Sequence, residues 1–249
     1  MSRKKALLAS ITAVIGLVTG AVAMAATYTG TTRPDTIVGT PQNDTIDALD
    51  GDDTVFARGG SDTVRGGSGD DDLSGEDGAD AIDGGGSDDR INGDGCSTAR
   101  SGPAYCIPTS RPGRDRLFGG SGKDVIDGGA RNDRVSGQGG DDRLRGGSGD
   151  DRMAGGSGLD VVRGGSGSDR ITGGDGDDKV RGESGRDEII GGRGRDLMEG
   201  GSANDTVLAR DGRRDRIRCA SGRDRVTADR VDTVDSDCER VRYPERRRP

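Results

Sequence analysis

Residues Gly146-Gly147-Ser148-Gly149-Asp150-Asp151-Arg152-Met153-Ala154 decide the reading of this chain, because Gly66-Gly67-Ser68-Gly69-Asp70-Asp71-Asp72-Leu73-Ser74 repeats the same order of residue classes. The shared pattern is G-G-x-G-x-D-x-U-x, with U apolar. Working outward from it, Asp recurs every nine residues at Asp35, Asp44, Asp53, Asp62, Asp71, Asp80 and Asp89. The same step resumes at Asp115, Asp124, Asp133, Asp142, Asp151, Asp160, Asp169, Asp178, Asp187, Asp196 and Asp205, and Asp215 and Asp224 follow with irregular spacing. Two positions after each Asp stands an apolar residue, from Ile37, Ile46 and Val55 to Val207, Ile217 and Val226. Disordered low-complexity sequence has no reason to hold two residue classes in phase over so many cycles.

The repeat has a direct physical reading. A glycine cluster lets the backbone take positive φ and turn tightly, after which x-U-x forms a short strand with U on one side. One unit cannot bury its single aliphatic side chain. Stacked units line these side chains into a continuous apolar ladder, which predicts an all-β solenoid of parallel strands.

Composition agrees and removes other classes. The chain has 249 residues, of which 48 are Gly; apolar residues make up 28% and aromatics 2%. An ordinary globular enzyme core of this size cannot be assembled from that inventory. Histidine is absent, so Ser-His-Asp and Cys-His nucleophiles and His-ligated zinc are excluded. Net charge is −8, with carboxylates supplied almost entirely by Asp.

Stacking brings the in-phase Asp residues into rows of like charge, because neighbouring parallel strands lie about 4.8 Å apart. Two carboxylates about 5 Å apart repel by about 3 kcal/mol at an effective dielectric near 20. A hard divalent cation between adjacent turns, held by Asp carboxylates and turn carbonyls, turns that repulsion into coordination. Calcium fits an oxygen-only set of flexible geometry, whereas magnesium demands rigid octahedra and keeps its waters. The chain is therefore expected to be largely disordered without calcium and to fold as calcium binds.

With many copies in phase, the sequence resembles the repeats-in-toxin, or haemolysin-type, calcium-binding nonapeptide family over roughly residues 30 to 228. The resemblance implies a right-handed parallel β-roll with two nonapeptides per coil. It also implies that the sixth-position Asp residues of successive same-side turns, Asp35 to Asp89 and Asp115 to Asp205, bind several Ca2+ ions together with carbonyls of the Gly-rich segments. At the fourth position Gln42, Ser87, Arg131, Ala203 and Arg213 replace glycine, which puts affinity at those turns in question.

The remaining segments set the organisation. Arg3, Lys4 and Lys5, an apolar run from Ala6 to about Val22, and Ala23-Met24-Ala25 read as a cleaved signal peptide. The chain divides into this leader over 1–25, a first array over 30–92, an inserted loop over 93–114, a second array over 115–228, and a disulfide-tied C-terminal cap with basic tail over 229–249. In an exported chain the four cysteines suggest two disulfides, and proximity favours Cys96 with Cys106 and Cys219 with Cys238 over the other connectivities.

The functional expectation is a secreted, calcium-binding β-roll with a structural or surface-interaction role and no enzyme activity. Its partners are calcium and, in the loaded form, extracellular polysaccharide or a cell surface. Net acidity and few aromatics disfavour nucleic acid, and no stable membrane insertion is expected after leader cleavage. The alternative is an adhesive or ice-binding solenoid, suggested by the rank Thr36, Thr45, Thr54 and Thr63. A repeat-linked hydrolase or toxin is disfavoured, since no separate catalytic domain or amphipathic apolar segment is present.

Overall fold

A computed structural model describes residues 24–94 and 111–243. Successive nonapeptides alternate between two sheets in which every strand pair is parallel. The first sheet has twelve strands, from Thr27–Thr29 through Thr45–Asp50, Thr63–Ser68, Ala81–Gly86 and Arg116–Ser121 to Arg240–Arg242. The second has eleven, from Thr36–Val38 through Val125–Ala130, Arg143–Ser148 and Val161–Ser166 to Thr233–Val234. Sheet neighbours are two units apart, so Met153 pairs with Val135 on one side and Ile171 on the other. Two nonapeptides make one coil of a parallel β-solenoid, as the family resemblance implies. Among the described residues there is no helix, and hence none long and apolar enough to cross a membrane.

The core is the U ladder. Ile46, Val64, Ile82, Leu117, Val135, Met153, Ile171, Ile189, Val207 and Val226 are buried from the first sheet, facing Val55, Leu73, Ile91, Ile126, Leu144, Val162, Val180, Met198 and Ile217 from the second. Burial alternates along most strands, because successive side chains point to opposite faces. The residues flanking U are therefore mostly exposed or half-buried, with Phe56 and Ser74 buried exceptions, and arginine is tolerated there in many units.

Many strands are longer than the three residues x-U-x requires. Arg152–Ser157, for example, runs through the following Gly-Gly pair, and Gly156 and Ser157 stay in register with Gln138 and Gly139. Stacking keeps the backbone ladder going into the turn, and the first glycine of each pair faces inward beside the apolar ladder.

The insertion does not divide the molecule. Ile82 pairs with Leu117 and Ile91 with Ile126, so both sheets cross it without a break and the two arrays form one continuous solenoid. Asp94 anchors its two ends, accepting the N–H groups of Gly113 and Ala130. The leader up to residue 23 and the proposed Cys96–Cys106 link lie outside the described residues.

At the far end, Thr233–Val234 and Arg240–Arg242 add a last strand to each sheet. Cys219 and Cys238 are joined by a disulfide. Cys219 occupies the inward position that glycine holds in most units, and both cysteines are buried. The segment expected to cap the roll thus contributes its final strands.

The threonine rank is split. Thr45 pairs with Thr63 in the first sheet and Thr36 with Thr54 in the second, because consecutive units sit on opposite faces. No single flat face carries all four, which removes the observation that favoured an ice-binding solenoid.

Candidate metal sites

The turns at the two edges place the sixth-position Asp side chains. At Gly149 the backbone has φ of +136°, and a Cβ there would strike the carbonyl oxygen of Arg131 in the preceding coil. Glycine is the residue suited to both demands. Ser87, Arg131 and Ala203 nevertheless hold the left-handed conformation, at φ of 87°, 85° and 84°. These three turns therefore keep their shape, at a strain cost of order 1 kcal/mol each. Gln42 does not adopt it, and near Arg213 it is Gly212 that does, at φ of 83°.

Each Asp folds back under its own turn into two continuous rows. On one edge the row is Asp44, Asp62, Asp80, Asp115, Asp133, Asp151, Asp169, Asp187, Asp205 and Asp224; on the other it is Asp35, Asp53, Asp71, Asp89, Asp124, Asp142, Asp160, Asp178, Asp196 and Asp215. Within a row, from Asp53 and Asp62 onward, Oδ1 of each Asp accepts the backbone N–H of the Asp one coil earlier, as Asp169 Oδ1 does from Asp151 at 2.8 Å and Asp151 Oδ1 from Asp133 at 2.8 Å. The chain of bonds spans the insertion, from Asp80 to Asp115 and from Asp89 to Asp124. It ends on Asp232, which accepts from Asp215, and Glu239, which accepts from Asp224. Asp215 and Asp224 continue the rows despite their irregular spacing; the extra residue is absorbed in the turn, where Asp211 accepts the N–H of Gly194.

The second oxygen is different. Among the described residues, Oδ2 has no hydrogen-bond partner in Asp53, Asp62, Asp71, Asp80, Asp89, Asp115, Asp124, Asp133, Asp142, Asp151, Asp160, Asp169, Asp178, Asp187, Asp196, Asp205 and Asp224, and in each it is buried. In the middle of a row it faces another acceptor. The space left by the missing side chain of Gly146 is bounded by Asp151 Oδ2 and by the carbonyl oxygen of Gly164 in the next coil. Buried acceptors without donors are costly and call for a proton or a cation.

Electrostatics point the same way. Burial raises the carboxyls of Asp62, Asp89 and Asp115 to about 8, and neighbouring Asp residues of the row add to the rise while the accepted N–H opposes it. Asp71, Asp133, Asp169, Asp178 and Asp205 are pushed to about 7, and Asp124, Asp151, Asp160, Asp187 and Asp196 to about 6, with burial again the first cause. Carboxylates held this way take up positive charge. The donor set is oxygen only, repeated at each coil, and suits a hard divalent cation.

Asp35 and Asp44 depart from this. Thr31 and Thr40 each donate a backbone N–H and a hydroxyl to Oδ2 of Asp35 and Asp44. These two carboxylates, predicted as metal ligands with the others, already have donors on the oxygen that the others leave open.

A further pattern escaped the sequence reading. Fifth-position Asp and Asn side chains accept backbone N–H groups of the next coil, as Asp52 does from Asp70, Asp70 from Asp88, Asn132 from Asp150 and Asp150 from Ser168. These exposed bonds run opposite in direction to the Asp rows, so the coils that carry them are pinned both ways. The recurrence of Asp or Asn at the fifth position is its only trace in sequence. Cys219, Asp237 and Cys238 also cluster, but their sulfurs are committed to the disulfide and offer no thiolate ligand.

Comparison with known families finds a match to the RTX calcium-binding nonapeptide repeat (4 copies), at residues 29–64, 65–95, 111–133, 127–162, 155–189 and 181–215, together more than half of the chain. Comparison with curated proteins finds no match.

Proposed function

The chain belongs to the RTX calcium-binding nonapeptide repeat family, and on that premise we propose that it is a secreted calcium-binding β-roll whose repeats are themselves the working part. The observation that carries this reading is the run of buried Asp Oδ2 atoms without donors. Asp53 to Asp205 would hold the ions with turn carbonyls, joined by Asp224 beyond the predicted set. Asp35 and Asp44 are assigned instead to a hydrogen-bonded first coil. When bound, calcium supplies positive charge and oxygen coordination between adjacent turns. The protein's part is to present acceptors from two coils at once, so that filling a site fastens one coil to the next and folding becomes coupled to binding.

The role proposed is structural or surface-interacting, outside the cell, where calcium is plentiful; no catalytic activity is assigned. Support for the extracellular setting comes from the leader-like N-terminal sequence and the disulfide. Far-ultraviolet circular dichroism and calorimetric titration test the calcium switch. The purified mature chain should gain β structure on passing from chelator to millimolar calcium and bind several ions, with magnesium far less effective. A β-rich spectrum unchanged in chelator at about pH 8, above the raised carboxyls of the rows, overturns it.

A further inference from the structure

The outer face of the second sheet carries an unbalanced cluster of cations. Arg143, Arg145, Arg163, Lys179 and Arg181 line a groove of about 540 Å3 whose floor includes Val125 and Val161. Arg145, Arg163 and Arg181 pair in register across three adjacent strands, so their charges repeat at the strand spacing of about 4.8 Å. Acids reach only the ends of this column, with Arg145 at 3.6 Å from Asp127 and Arg181 at 3.2 Å from Glu199. Arg143, Arg163 and Lys179 have no ion pair with any described residue.

The first sheet offers no equal. Arg116, Arg134, Arg152 and Arg170 also align there. The column beside them is Phe118, Ser136, Ala154 and Thr172, however, and the hollow nearest to them contains Asp150 and Glu188 as well as arginine. Positive charge is thus in excess on one face of a chain whose net charge is −8.

We propose that this groove binds a linear anionic polysaccharide, through carboxylate or sulfate groups spaced along an extended chain. Cations repeating at a fixed interval match a polymer bearing regular charge better than a single small anion. No aromatic side chain lines the groove to stack a nucleobase. A concave floor with two partly exposed valines suits a narrow chain, whereas a flat anionic bilayer would reach the rim alone. The proposal rests on the extracellular reading above for its biology, but its test needs only the folded, calcium-loaded protein.

The experiment is titration of the calcium-loaded mature chain with short oligogalacturonate, with a dextran sulfate oligomer and with neutral dextran. The expected result is binding of either or both anionic polymers that weakens with added salt, and no response to neutral dextran. Arg163→Glu should weaken that binding about tenfold or more, while Arg134→Glu, with the same charge change on the opposite face, leaves it intact. Both positions are exposed, and an unchanged circular dichroism spectrum in calcium verifies the fold of each variant. Failure of the wild type to bind either anionic polymer, equal loss in both variants, or preferential binding of polyuridylate or anionic lipid vesicles overturns the proposal. A failed calcium switch with intact, groove-dependent binding would instead sink the reading of the turns alone.

Discussion

Thr40 donates its backbone N–H to Asp44 Oδ2 at 2.6 Å and its hydroxyl to the same oxygen at 3.0 Å. The corresponding oxygen of Asp62, one coil later on the same edge, has no donor. Position two of the repeat is threonine in the first two units and glycine in most of the others, so one residue separates a turn closed by its own side chain from a turn that waits for a ligand.

Asp44→Asn should leave the number of bound calcium ions unchanged, while Asp151→Asn should reduce it. Counting ions by native mass spectrometry checks both. Because Asp151 bonds to both Asp133 and Asp169 within its row, its loss should also weaken the adjoining sites and raise the calcium concentration at the folding midpoint.

Thr40→Val removes the hydroxyl donor and keeps the shape. A hydrogen bond to a charged group contributes about 1.5–3 kcal/mol, so the first coil should open more readily. Hydrogen exchange at Thr45 and Ile46 should accelerate in the calcium-loaded protein, with exchange around Ile171 unaffected.

Cys219→Ser combined with Cys238→Ser opens the loop that closes the C-terminal end. Loop-closure entropy for a bridge spanning 19 residues is worth about 3 kcal/mol. The thermal midpoint of the calcium-loaded chain should fall, and protease should cut first after Val226.

Metal-free stability should decline as pH rises. Within the rows Asp151, Asp71 and Asp62 are raised in the fold to about 6, 7 and 8 from an ordinary value near 3.8, burial being the first cause in each. Between these values the folded chain holds more protons than the unfolded one, so each such group costs up to about 1.4 kcal/mol per pH unit. The cost is absent below the ordinary value and complete above the raised one. In chelator, β structure should therefore appear near pH 5 and vanish toward pH 8, and calcium should bind more tightly as pH increases over the same window. Circular dichroism against pH, with and without calcium, measures both trends.

Much of the architecture was legible in the sequence. The Asp step and the apolar residue two places on are visible without coordinates, and they specify the strand, the buried ladder and the row of carboxylates. A nine-residue period does not say on which face a unit lies, which is why Thr36, Thr45, Thr54 and Thr63 looked like one rank and proved to be two. Nor does it say where a carboxylate points. The donors from Thr31 and Thr40 matter only because Oδ2 turns back under its own loop, and the fifth-position bonds depend on two coils meeting edge to edge. The continuity past Asn92 was likewise a matter of stacking, since only pairing across the gap joins Ile82 to Leu117.

The anchoring of the insertion by Asp94 has an evolutionary consequence. Its two ends leave and rejoin the roll at one turn, and every later coil keeps the index it would have had without the extra residues. A foreign segment can be spliced in at such a point without re-threading the rod, so the solenoid serves as a rack on which new loops are mounted and selected independently of the frame that carries them.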